Sequence, residues 1–216
     1  MSEKTRKLCN LSILAAMAYI AVFLVRIPIV PGVEFLKFEP KDVIILIGGL
    51  IYGPVSAAML SAVVSLIEMV TISTTGIIGA VMNILSSCSY ACIASLIYSR
   101  NRTLKGAIIG LVSGGLVMTV IMLLWNYLIT PLYMGYPREA VAAMLVPVFL
   151  PFNLIKAAIN GSITMLIYKP LSHVLLKNTQ HVSPPVEKRA TLGVIIVSLA
   201  ILATVTLIVL VMRGVI

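Results

Sequence analysis

Long apolar runs alternate with short polar breaks along the whole chain. The runs cover residues 9–27, 42–53, 54–72, 76–99, 106–130, 147–168 and 191–212. Most approach the length of about 20 residues that crosses a bilayer as a helix. Their apolar residues are continuous rather than alternating, which argues against a β-barrel. The second run, DVIILIGGLIYG, is short, and Pro54 begins the third. Gly-Pro is a turn signal, so these two runs are expected to form a helical hairpin with a tight inner turn. The pattern predicts an all-α integral membrane protein. A six-helix core occupies 1–178, a polar linker 179–190, and an additional C-terminal transmembrane helix lies within 191–216. The linker, KNTQHVSPPVEKRA, is marked by Pro184-Pro185. The last run, TLGVIIVSLAILATVTLIVLVM, carries no strongly polar group and reads as a single lipid-facing helix without chemistry.

Composition agrees. Of 216 residues, 60% are hydrophobic and only 11% charged, and the mean hydropathy is +1.11. A soluble domain of this length needs far more polar surface. The net charge of +9 raises a nucleic-acid surface as an alternative, but the cations sit in short loops at the ends of apolar runs, where they set topology. With the N-terminus in the cytoplasm, Lys4, Arg6, Lys7, Arg100, Arg102, Lys105, Lys169, Lys177, Lys188 and Arg189 fall inside. Only Arg26, Lys37, Lys41 and Arg138 fall outside, matched by Glu34, Glu39, Asp42 and Glu139. That asymmetry predicts the cytoplasmic N-terminus. The first run lacks a small-residue cleavage site followed by polar sequence, so it is kept as a helix. Cys9, Cys88 and Cys92 have no companions at metal-ligand spacing and read as small apolar residues, with no metal site expected.

Candidate chemistry lies in the polar groups inside the apolar runs. Such groups are costly in hydrocarbon and usually face the bundle interior. In VPVFLPFNLIKAAINGSITMLIY, Asn153, Lys156 and Asn160 stand at i, i+3 and i+7, one face of a helix. Pro147 and Pro151 are expected near that helix's start, which puts Asn153 and Lys156 in the outer half of the membrane. Three readings stay open for Lys156: pairing with a buried acid, a proton or ion relay, or solute binding with its amide neighbours. Glu68 is the one acid inside an apolar run, near an outer helix end where it can snorkel. No series of titratable groups suggests a relay. Further amides stand at Asn83, followed by Ser86, Ser87 and Ser89, and at Asn126, between Trp125 and Tyr127. An amide offers two donors and an acceptor, a set suited to a neutral ligand with carbonyl and N–H groups side by side. Trp125 and Tyr127 read either as interfacial belt residues or as rings that sandwich a flat ligand.

The first outer loop, PIVPGVEFLKFEPKD, is too apolar to stand free. Val33, Phe35, Leu36 and Phe38 need cover, either as a lid over an outer cavity or as an anchor on helix ends. Glu39 and Asp42 are expected at the cavity mouth or capping the second helix. Gly106, Gly110 and Gly114 at four-residue spacing, and Ala58, Ala62, Ser61 and Ser65, offer smooth faces for internal packing or for a partner subunit.

The segments EFLKFEPKDVIILIGGLIYGP, MNILSS, WNYLITPLYMG and PFNLIKAAIN, in this order, resemble the riboflavin-binding membrane (S) subunits of energy-coupling-factor (ECF) vitamin transporters. The similarity covers roughly residues 8–178. It implies a six-helix substrate-binding subunit with its site near the extracellular face, in a bacterial cell membrane. It implies that Asn126, Asn153 and Lys156 contact the flavin and that Glu39 and nearby loop residues close over it; Asn83 is added from its chemistry. It also implies separate ATPase subunits and a transmembrane coupling subunit as partners, and no cofactor beyond riboflavin as transported ligand. The chain itself carries no Gly-x-x-x-x-Gly-Lys phosphate loop. Ser12, Ala15, Ala16 and Ala18 fall where the family docks an alanine-rich face on its coupling partner. The helix after residue 190 departs from the six-helix pattern. Flavin nucleotides would need cationic contacts such as Lys37 or Lys41.

The alternatives are a binding subunit for another flat or amide-bearing vitamin and, from a different class, a membrane-embedded enzyme. Against the enzyme, His173 and His181 lie at the cytoplasmic end and in the linker, apart from the acids, and no catalytic set is visible.

Overall fold

The structure is a computed structural model that describes residues 2–31, 33, 36–176 and 188–215. Side chains 133, 134, 169, 170, 172–176 and 188–191 lie outside the description. Its elements are α1 (Glu3–Leu24), α2 (Lys41–Tyr52), α3 (Pro54–Thr71), α4 (Gly76–Arg100), α5 (Leu104–Met134), α6 (Arg138–Met144), α7 (Leu150–Leu176) and α8 (Lys188–Met212). Among the described residues six helical stretches are long and apolar enough to span a membrane, and α2 is too short. The fold is a multi-pass helical bundle.

Local chemistry sets the boundaries. Ser2 caps α1 by accepting from the Thr5 N–H, which satisfies one of the orphan donors of a helix start. The α2–α3 hairpin appears as expected, within a residue of the predicted ends. Gly53 takes φ 92, a conformation that glycine adopts without steric cost, and Pro54 occupies the first turn of α3, where its missing N–H costs nothing.

The glycines of α5 serve internal packing. A Cβ on Gly110 would stand 2.6 Å from the Ala94 carbonyl oxygen, and one on Gly114 would stand 2.5 Å from that of Tyr90. These glycines let the α4 and α5 backbones approach. On α3, Ser61 Oγ donates to the Ile84 carbonyl of α4 at 3.3 Å, so that face is also internal. Ala15 and Ala18 of α1 are buried against the bundle, with Leu11, Leu14 and Val22. Of the four small residues expected to form a docking face, only Ser12 and Ala16 are exposed.

The segment before α7 departs from expectation. Helix does not start near Pro147. It starts at Arg138 and runs through α6 into α7 by a π-helical turn, Leu145–Phe149. Pro147 has no N–H to give to the preceding turn, and the run widens there: the Leu150 N–H reaches the Leu145 carbonyl, five residues back. Arg138 and Glu139 open this helix rather than standing in a free loop.

The outer loop between α1 and α2 forms a short antiparallel ribbon, β1 (Ile27–Pro28) against β2 (Lys37–Phe38), with Ile27 opposite Phe38. Ile29, Val30, Leu36 and Phe38 are buried with Val141, Phe149, Phe152 and Ile155. The loop is therefore anchored on α6 and α7, while Val33 is half-buried and Phe35 lies outside the described residues.

Helix α8 faces mostly outward but is not an isolated span. It packs along α7, and its Val205 is buried in the same cluster as Phe149 and Phe152. Of the expected linker 179–190, residues 179–187 lie outside the described residues, and α8 begins at Lys188.

Candidate functional site

Above the main core lies a cavity of about 600 Å³. Five parts of the chain build it. The outer loop contributes Arg26, Val33, Leu36, Lys37 and Glu39; the α3–α4 connection contributes Ser73, Thr74 and Thr75. Helix α4 adds Ile78, Gly79, Met82, Asn83 and Ser86; α5 adds Met122, Trp125, Asn126, Ile129 and Thr130. Tyr136 and Met144 lie before Phe152, Asn153 and Lys156 of α7. The walls thus mix aliphatic and aromatic surface with a few converging polar groups, the usual make-up of a small-molecule site.

All five residues singled out in the sequence, Glu39, Asn83, Asn126, Asn153 and Lys156, line this one cavity. Trp125 lines it as well, whereas Tyr127 does not; the Tyr127 ring instead lies under the Arg138 guanidinium, 5.6 Å from its centroid. Asn160 shares the helix face with Asn153 and Lys156 but lies beyond the cavity, buried, with neither amide atom hydrogen-bonded.

The amides are held from behind. Asn126 Nδ2 donates to the Met122 carbonyl at 2.7 Å, and its Oδ1 accepts from Thr130 at 2.9 Å. Asn153 Nδ2 donates to the Phe149 carbonyl at 2.7 Å. Each bond turns the amide back along its own helix and fixes its plane. Each side chain keeps a second N–H and acceptor capacity for the cavity.

Lys156 is both paired and presented to the cavity. Its Nζ lies 2.9 Å from Asp42 Oδ2 and donates to Ser86 Oγ at 3.4 Å. Asp42 Oδ1 accepts from Ser87 Oγ. Asp42 is therefore neither at the cavity mouth nor a cap of α2: it is 2% exposed, and the residue at the cap is Pro40, which makes no side-chain cap bond. Its carboxylate is satisfied by α4 and α7 instead, as a buried charge requires.

A second network ties the outer loop to the bundle. Glu39 bridges Arg26 at 3.3 Å and Lys41 at 2.8 Å. Lys41 also pairs with Glu68, to which Asn83 Nδ2 donates at 3.0 Å. Glu68 does not snorkel: it is 1% exposed, because Lys41 reaches it across the α2–α3 interface. Lys41, expected in an outer loop and as a possible phosphate contact, is fully buried and already paired with two carboxylates. Lys37 does line the cavity. At Glu39, burial pushes the carboxyl up, but the nearby charges of Lys41, Lys156 and Arg26 outweigh it and hold the group below its ordinary value.

Sequence reasoning did not pick out Arg26, Lys41 and Asp42 as parts of the site's support. They sit at or beside the ends of apolar runs, and Lys41 and Asp42 find Glu68 and Lys156, partners distant in sequence. The one available signal was an excess of charge beside an apolar run. Among the described residues no group of three His, Cys, Asp or Glu side chains is placed to hold a metal ion.

A multi-pass membrane protein whose helices and outer loop enclose a chamber of amides, aromatics and a few charged groups has the build of a solute-binding membrane subunit. The chain belongs to the substrate-specific components of ECF transporters: the family's model matches residues 6–168, which include every residue lining the cavity. It is a transport subunit, not an enzyme. Its sequence is 30% identical over 183 residues to the riboflavin transporter RibU of Streptococcus thermophilus, covering 80% of this chain and 86% of that one. It is 28% identical to the RibU of Staphylococcus aureus, covering 80% and 94%. It is also 28% identical to the riboflavin transporter FmnP of Bacillus subtilis, covering 76% and 91%. The solved S component of a bacterial ECF transporter superposes with a TM-score of 0.68 at 28% identity, covering 80% of this chain and 99% of that one.

Proposed function

We propose that this chain is the high-affinity riboflavin-binding subunit of an ECF-type vitamin uptake transporter, with Glu39, Asn83, Asn126, Asn153 and Lys156 at the bound ligand. The observation that carries the reading is the convergence of three amides and the Lys156 ammonium group on a single cavity of about 600 Å³ with largely apolar walls. The isoalloxazine ring is flat and apolar over most of its area, and its imide edge presents carbonyl, N–H, carbonyl. An asparagine satisfies a donor and an acceptor there at once, and a lysine donates to a carbonyl. Met82, Met122, Trp125 and Phe152 supply surface for the ring faces. Glu39, held by Arg26 and Lys41 at the base of the ribbon, fixes the outer loop over the chamber. The riboflavin transporters it resembles support the choice of ligand.

In this reading the subunit sits in a bacterial cell membrane with its N-terminus in the cytoplasm and the cavity toward the outside. ATP hydrolysis occurs on separate ATPase subunits, joined to it by a transmembrane coupling subunit. For a flavin nucleotide, Lys37 and Arg26 are the cations that line the chamber besides Lys156.

Titration of the purified protein by quenching of flavin fluorescence tests the proposal. Wild type is expected to bind riboflavin tightly. Asn153→Leu and Lys156→Leu are each expected to weaken binding at least ~10-fold, about 1.4 kcal/mol. Wild-type affinity weaker than micromolar overturns the flavin assignment.

A further inference from the structure

A second cavity, about 550 Å³, lies between α5, α7 and α8 and, among the described residues, shares no lining residue with the polar chamber. Its floor includes Tyr90 and Leu111, both buried, and the Tyr90 hydroxyl already donates to the Ala157 carbonyl at 2.9 Å. Its rim is open: Val112, Leu116 and Val197 are 58%, 54% and 58% exposed. Among the described residues the groove has no charged lining side chain, and its walls suit an apolar occupant. It lies between membrane-spanning helices, so its natural occupant is hydrocarbon.

Its length and its ends narrow the choice. Along α5 the groove runs from Leu104 to Leu116, about 18 Å at the rise of a helix. One leaflet contributes about half of the ~30 Å hydrocarbon core, so the groove is one acyl chain deep. One outer wall begins with cations: Arg102 and Lys105 flank Leu104 at the start of α5, both exposed. An apolar slot one leaflet deep, with cations at its polar end, matches an acyl chain attached to an anionic headgroup.

We propose that this groove is a binding site for an anionic phospholipid of the leaflet at which α5 and α8 begin. One acyl chain lies along Ala158, Gly161 and Gly193, and the headgroup phosphate meets Arg102 and Lys105 at the basic start of α5. The wall made by α8 lies beyond the stretch matched by the family model, which ends at residue 168. The site is therefore set by this chain's additional helix.

Native mass spectrometry of the full-length protein, released from micelles after addition of palmitoyl-oleoyl phosphatidylglycerol or phosphatidylcholine, tests this. Wild type is expected to retain phosphatidylglycerol at least ~5-fold more than phosphatidylcholine. Gly193→Leu fills the slot from a position with no heavy atom within 4 Å of an added Cβ, and is expected to lower phosphatidylglycerol retention ~10-fold without altering the size-exclusion profile. Val197→Trp, one turn further along the same wall, is expected to do the same should Gly193→Leu be poorly behaved. Arg102→Gln with Lys105→Gln is expected to remove the headgroup preference. Equal retention of the two lipids by wild type overturns the proposal. So does undiminished retention in the groove-filling variants, or a dimer that Gly193→Leu dissociates in the absence of added lipid.

Discussion

Lys156 illustrates how one side chain meets two demands. Its ammonium is paired with Asp42, and it also faces the chamber. Pairing with a buried acid and solute binding, alternatives at the level of sequence, are here compatible geometries. The pair keeps the ammonium in place between α2, α4 and α7. Removing one partner of such a pair leaves the other charge buried alone, which costs about 3–5 kcal/mol. Asp42→Asn is therefore expected to lower the melting temperature markedly and to weaken riboflavin binding ~10-fold. Combining it with Lys156→Met removes both charges. The double variant is expected to recover much of the thermal stability of Asp42→Asn while remaining defective in binding. Additive losses of stability in the double variant, measured by thermal unfolding in detergent, contradict a direct Asp42–Lys156 coupling.

At the scale of elements, hydropathy made most of the bundle legible. The α2–α3 hairpin was readable to within a residue because Gly53 and Pro54 each favour the turn on local grounds. The continuous helix from Arg138 was not readable, because two charges and two prolines in and before the run imitate a loop. The site was legible in part: each amide announces itself by the cost of standing in hydrocarbon, and three of the four, Asn83, Asn126 and Asn153, stand in the chamber wall, while Asn160 lies beyond it. Their supporting network was not legible, since Asp42–Lys156 and Lys41–Glu68 are tertiary pairs with no sequence period. The glycine spacing of α5 left internal packing and a partner interface both open until the Ala94 and Tyr90 carbonyls were seen against it. That contact is testable. Gly110→Ala sets a methyl 2.6 Å from a backbone oxygen, and backbone cannot yield as a side-chain tip can. A loss of about 1–3 kcal/mol is expected, as in other overpacked interiors, read as a lower melting temperature and faster proteolysis. An unchanged melting temperature would show that α4 and α5 do not meet at this position.

For the molecule as a whole, the family-matched stretch holds the entire polar chamber, while α8 lies outside it. Helix α8 touches that unit through Val205, buried with Phe149 and Phe152, and Phe152 is itself a wall of the chamber. In water, deleting such a helix would expose apolar surface and cost heavily. In a bilayer, lipid tails replace the lost contacts, and only the difference between protein packing and lipid packing is forfeited. Truncation after residue 178 is therefore expected to leave riboflavin affinity within ~3-fold of wild type and to lower the melting temperature by only a few degrees. It should abolish the phosphatidylglycerol retention that the α5–α7–α8 groove provides. A tenfold loss of riboflavin affinity on truncation, measured by the same fluorescence titration, would mean that α8 braces the Phe152 wall. The added helix would then belong to the binding site rather than to its lipid surroundings.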